Sequence, residues 1–167
     1  MTSYSAPFDI YFWEPSLSPH KLDLFREVAK RPEIGNVWCI CQQGLLSERS
    51  AQGWSVDIEG IDPDRTIIAP STEKVRALVA DSAPRSIHIF SGMHHVQCIV
   101  EGLSQAIATN RRFAIMSEPR ASEGLTGAAR YLHSWITERA LRRNVGFVLA
   151  IGNNGPLWFQ RVGYPAP

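Results

Sequence analysis

Six short runs of apolar residues recur along the chain, and between them apolar residues return at helical spacing. Phe8–Trp13, Asn36–Cys41, Arg65–Ala69, Ser86–Phe90, Phe113–Met116 and Val145–Ile151 read as strands, rich in aromatic and β-branched residues. Leu22, Phe25, Val28 and Ala29 mark a helix opened by Ser18-Pro19 and closed by Pro32 and Gly35. Ser71 caps a second helix through Ala80. Val96–Ala108, Leu125–Arg143 and Asn153–Val162 continue the pattern, whereas 44–60 is a long polar stretch with Trp54 and Val56 as its apolar points.

Strands alternating with helices predict βα units and a mostly parallel sheet. Ile87–Phe90 and Phe147–Ile151 are nearly continuous apolar runs, as strands covered on both faces should be. The expected fold is therefore α/β: a Rossmann-like three-layer sandwich, with about six strands and helices on both faces. Residues 1–162 are expected to form one domain, with the proline-rich 163–167 beginning a linker.

Composition narrows the class. Hydrophobic residues make up 44% and charged residues 20%, so disorder is not the main state. Three cysteines are too few for a secreted disulfide framework. The N-terminal MTSYSAPFDIYFWEP lacks a basic region and a long apolar run, so no signal peptide is expected there. These features predict a cytoplasmic protein. Net charge is +1, which argues against nucleic acid as a partner. Charge is unevenly spread: residues 1–83 carry eight Lys/Arg against twelve Asp/Glu, and 84–167 carry nine Arg against four Glu. An arginine-rich half suits an anionic partner, and solvated surface charge would look the same.

In open α/β sheets, ligands sit outside the carboxyl ends of the strands. The first strand is followed by Glu14, Ser16 and His20, and the fourth by Ser91, Gly92, His94 and His95. The fifth is followed by Ser117, Glu118 and Arg120, while Arg49 lies in the polar stretch. Glu118 can accept a proton or bond a sugar hydroxyl, or it can cap the turn after it. Arg49 and Arg120 can hold a phosphate or pair with surface acids. His94 and His95 can bond a ligand or simply begin a helix. No P-loop, no G-x-G-x-x-G after the first strand and no G-x-S-x-G elbow occurs. Cys39, Cys41, Cys98 and the histidine pair match no zinc spacing, so neither a metal nor a resident cofactor is expected.

Four segments carry a resemblance: Phe12-Trp13-Glu14-Pro15-Ser16-Leu17-Ser18-Pro19-His20; Ile87-His88-Ile89-Phe90-Ser91-Gly92 with His94-His95; Ala114-Ile115-Met116-Ser117-Glu118-Pro119; and Val148-Leu149-Ala150-Ile151-Gly152. In this order and spacing the chain resembles the N-terminal half of a GT-B-fold glycosyltransferase of the large retaining family four. The resemblance implies an acceptor-binding domain facing a second, donor-binding domain that these residues do not include. It implies transfer from a nucleotide-sugar donor to a glycan or lipid-linked acceptor, in the synthesis of a bacterial surface polysaccharide. Glu118 stands where the family commonly has a histidine near the reacting sugar, which implies a catalytic role. The other strand-end residues and Arg49 then become substrate-binding. The first loop lacks the family's glycines, so its contact with donor phosphates is not implied here. This fragment alone should not transfer sugar.

Residues 125–143 combine an apolar side (Leu125, Ala128, Ala129, Leu132, Trp135, Ile136, Ala140) with Arg130, Arg139, Arg142 and Arg143. Such a helix can lie on an anionic membrane surface, making the protein peripheral at the inner face, or it can pack on the sheet. A self-contained ligand-binding or docking module without catalytic activity is the alternative to the transferase.

Overall fold

The computed structural model describes residues 7–55, 61–121 and 123–165. Val56 and the last two residues of the expected linker lie outside them. Six strands alternate with seven α-helices among the described residues: β1 (Phe8–Ser16), α1 (Pro19–Ala29), β2 (Ile34–Gln43), α2 (Ser47–Ala51), β3 (Thr66–Ile68), α3 (Thr72–Ala80), β4 (Ser86–Ser91), α4 (Gln97–Ala108), β5 (Phe113–Ser117), α5 (Gly124–Thr137), α6 (Arg139–Asn144), β6 (Phe147–Ala150) and α7 (Gly155–Val162). The sheet order is β3-β2-β1-β4-β5-β6, and each pairing is parallel. This is a Rossmann-like α/β sandwich. The chain winds outward from β1 in one direction and from β4 in the other, so the order reverses between β1 and β4.

Alternation along the strands builds two cores. Ile10 and Phe12 of β1, Ile89 of β4 and Met116 of β5 pack with Leu22 and Phe25 of α1. Burying such a leucine or phenylalanine contributes about 1.5–3 kcal/mol each. Trp13, Phe90, Phe113 and Ile115 face the other way, against Val75 and Val79 of α3, Ile99 and Leu103 of α4, and Phe159 and Val162 of α7. Gly102 of α4 allows this approach: a Cβ there would stand 2.7 Å from the Phe90 ring.

A polar thread runs through the second core. Trp13 Nε1–H donates to His88 Nδ1 at 3.1 Å. His88 Nε2 lies 3.1 Å from Ser82 Oγ, whose hydroxyl donates to the Val79 carbonyl at 2.8 Å. The tryptophan can only donate, so His88 carries its proton on Nε2 and the ring is neutral. Burial lowers its pKa to about 3, and the charge of Arg111 acts in the same sense.

The expected six-stranded, mostly parallel sheet is present, and each of its pairings is parallel. The structure departs from the sequence expectations in three places. The stretch after β2 contains the short α2, which has no buried residue and hence no apolar period to reveal it. The expected helix over 125–143 is two helices, parted at Glu138, which is buried. The domain body also extends past residue 162. Gly163, at φ 92°, turns the chain left-handed at the end of α7, and Tyr164 is buried with its ring edge-on to Phe159.

Candidate functional site

The reversal of strand order is where an open α/β sheet usually leaves a crevice for ligand. Here the chain fills it with its own groups. Glu14, at the end of β1, is 2% exposed. The Ser91 hydroxyl, at the end of β4, donates to Glu14 Oε1 at 2.7 Å. Lys21 Nζ, in α1, stands 3.2 Å from the same oxygen and 3.2 Å from Ser91 Oγ. Burial raises the pKa of Glu14, and the lysine and serine offset that only in part. Pro15 costs β1 no ladder bond to β4, because that pairing ends at Trp13↔Phe90.

Beyond β4 the backbone turns sharply. Gly92 has φ 98° and its N–H reaches the Met116 carbonyl at 2.9 Å. His95 has φ 68°, a left-handed conformation that costs a non-glycine residue about 1–3 kcal/mol. The turn delivers the chain to α4, where Gln42 Oε1 from the end of β2 accepts the Cys98 N–H at 2.8 Å.

This turn forms one wall of an open cleft of about 610 Å³, together with the segment after β5, α5 and α7. His94, His95, Ser117, Glu118, Arg120, Arg130 and His133 line it, with Trp158 and Phe159 as its apolar side. Five of the sequence-predicted site residues therefore meet in one place: His94, His95, Ser117, Glu118 and Arg120. Glu118 is exposed, and its carboxylate makes no ion pair or hydrogen bond with another described residue. A carboxylate in that condition is available to a ligand.

Glu138 lies behind the cleft, 1% exposed. The Tyr164 hydroxyl donates to its Oε2 at 2.9 Å, and His94 Nε2 lies 3.2 Å from Oε1. The Arg120 guanidinium approaches the same oxygen at 3.7 Å. Burial would raise the pKa of this carboxyl, but the bonds from His94 and Tyr164 and the charge of Arg120 outweigh it, and the net shift is downward. Glu138 is therefore ionised. Burial and the adjacent Glu138 charge push the Tyr164 hydroxyl upward in turn.

The remaining candidates lie elsewhere. Glu14 and Ser91 belong to the filled crevice, and Gly92 shapes the turn beside it. His20 and Arg49 share Trp54 instead: the His20 ring meets it edge-on at 5.2 Å, and the Arg49 guanidinium sits 4.7 Å over it. Ser16 ends β1 opposite Gln43. Lys21, Glu138 and Tyr164 were not among the sequence-predicted residues. Lys21 adjoins Leu22 on the inner stripe of α1, a position that would have drawn attention to it. For Glu138 the one signal was a single acid amid arginines.

The described residues hold no group of three or more His, Cys, Asp or Glu able to bind a metal ion. The thiols of Cys39 and Cys41 lie 3.6 Å apart and buried, away from the cleft. The fold and site together define a Rossmann-like α/β domain with an open cleft, lined by titratable and aromatic side chains, at the carboxyl ends of β4 and β5. Comparison with known protein families, with curated proteins and with solved structures finds no match.

Proposed function

We propose that this domain is the acceptor-binding half of a retaining glycosyltransferase, which moves a sugar from a nucleotide-sugar donor to a glycan or lipid-linked acceptor. The observation that carries the reading is the convergence of Glu118, Ser117, His94, His95 and Arg120 on one open cleft. Such a set suits a sugar, whose hydroxyls both donate and accept. Glu118 is the group placed to act on the reacting sugar. As an exposed carboxylate it can accept a hydroxyl proton or stabilise positive charge growing at the anomeric carbon.

A second observation favours action at a lipid surface, with the protein peripheral to an anionic membrane. The inward face of α5 is Gly127 and Ser134, followed by Glu138 at its end, all buried. Its large apolar residues point outward: Leu125 is 92% exposed, Leu132 55%, Trp135 52% and Ile136 60%. Arg139 and Arg143, on the short α6 that follows, are exposed. An exposed apolar stripe followed by arginines is the composition that binds anionic bilayers.

The test is release of nucleoside diphosphate from a panel of nucleotide sugars by the full-length gene product, with polyprenyl-phosphate-linked or free glycan acceptors. Turnover that depends on acceptor and on Glu118 supports the reading. Absence of turnover across the panel, with no sugar bound by the cleft, overturns it.

A further inference from the structure

We infer that the cleft between the β4 turn and α5 holds a phosphate or diphosphate group, gripped by Arg120 and His94, and that Glu138 is the residue that positions these two donors. The inference deepens the reading above by naming a ligand class for the same cleft, but it does not require sugar transfer.

The argument starts from Glu138. A buried carboxylate without partners is strongly unfavourable, so its place in the fold depends on what faces it. The Tyr164 hydroxyl from beyond α7, the His94 ring from the β4 turn and the Arg120 guanidinium from the segment after β5 face it, and the Ser134 hydroxyl of α5 acts on it in the same sense. Tyr164 is itself buried. His94 and Arg120 are not: their side chains are 31% and 30% exposed, and both line the cleft. Each thus has one side against a fixed negative charge and another open to the cleft. A guanidinium has five N–H donors, and Arg120 approaches Glu138 through its Nη2.

Two consequences follow. Glu138 restrains two side chains that come from different loops, so a ligand meeting them orders less of the protein on binding. The cleft also carries an excess of cationic and imidazole groups. Arg120, Arg130, His94, His95 and His133 stand against Glu118 alone on its lining. Arg130 holds the loop itself, donating to the Ala121 carbonyl at 3.2 Å. A phosphate presents several oxygens and matches the planar fork of arginine bidentately. The phosphate can belong to a nucleotide donor or to a lipid-linked acceptor.

Calorimetric titration of the protein with inorganic pyrophosphate at low salt tests the assignment. Saturable binding is expected, weakening as salt is raised. Arg120→Ala should weaken it by about tenfold or more, and His94→Ala by several-fold. Arg76→Ala, which removes a surface pair with Glu101 on α3 and α4, should leave it unchanged. Glu138→Gln should weaken it about as much as Arg120→Ala; Tyr164→Phe should lower Tm while changing affinity little. If Glu138→Gln does not fold, the Arg120 and His94 variants still decide. No binding by the wild type, or unchanged binding in both of those variants, overturns the assignment. Competition by a nucleoside diphosphate and by a short alkyl phosphate then tells donor from acceptor, the tighter competitor naming the source. Pyrophosphate binding without sugar transfer keeps this assignment and removes the transferase. Transfer by Arg120→Ala with unchanged KM for donor and acceptor does the reverse.

Discussion

Ser91 and Glu14, 77 residues apart in the chain, are joined by a 2.7 Å hydrogen bond across the point where the strand order reverses. The bond closes the crevice that the fold would otherwise offer, and the open cleft lies one strand further along, at the ends of β4 and β5. Ser91→Ala leaves the buried carboxylate with Lys21 as its remaining partner. The expected loss is about 1–3 kcal/mol, measured by denaturant unfolding at neutral pH. Glu14→Gln should be far milder, within about 1 kcal/mol, since a neutral amide escapes the desolvation that raises this carboxyl's pKa. The folded pKa of Glu14 lies above the unfolded one, so its contribution to stability falls as pH rises from about 4.5 through the folded value. The glutamine variant removes that fall.

His88 sets the acid limit in the opposite sense. Its folded pKa is about 3, against 6.5 for the unfolded chain. Between these values the unfolded state binds the extra proton, so stability declines as pH is lowered from 6.5. The slope approaches about 1.4 kcal/mol per pH unit. A series of unfolding curves from pH 7 to pH 4 in the Glu14→Gln background, which lacks the opposing slope of Glu14, measures it, and a flat profile there counts against a neutral, buried His88. Ser82→Ala strands the Nε2–H and should cost about 1–3 kcal/mol at pH 7.

On the transferase reading proposed above, Glu118→Gln should lower turnover about a hundredfold or more while the fold is kept. Steady-state kinetics with the active donor checks this. Turnover equal to wild type removes Glu118 from the chemistry.

Co-sedimentation with vesicles tests the outward stripe of α5. The protein should pellet with phosphatidylglycerol-containing vesicles at low salt and not with neutral ones. Leu132→Glu with Trp135→Glu should abolish the association without lowering Tm, since both side chains are exposed. Equal pelleting of this double variant assigns the binding to another surface.

Gly102→Ala should destabilise by about 1–3 kcal/mol, because the added methyl collides with the Phe90 ring and α4 must move away from the sheet. A shift in Tm reads it directly.

The strands and their sequential alternation with helices were legible because β-branched and aromatic runs and helical periods are local patterns. Ser71 capping Lys74 and Pro19 opening α1 were legible for the same reason. The cleft was partly legible: five strand-end residues were named and meet there. What holds them was not. His94 reaches Glu138 across 44 positions and Lys21 reaches Ser91 across 70, and no local spacing encodes such meetings. Periodicity also located an apolar stripe from Leu125 to Ala140 without saying which way it faces. Gly127 and Ser134 decide that: as small residues they let α5 approach the body, so the bulky side chains go outward. The expectation of one helix through 143 failed at Glu138, where a buried charge takes its partners from three other segments.

The stripe lies on α5, and the Glu138 carboxylate sits at the cap that directly follows it. Any pull that shifts this helix along its axis drags the anchor of His94 and Arg120 with it. On the two proposals above, a surface that seats Leu132 and Trp135 and a ligand that meets His94 and Arg120 would act on opposite sides of the same helix.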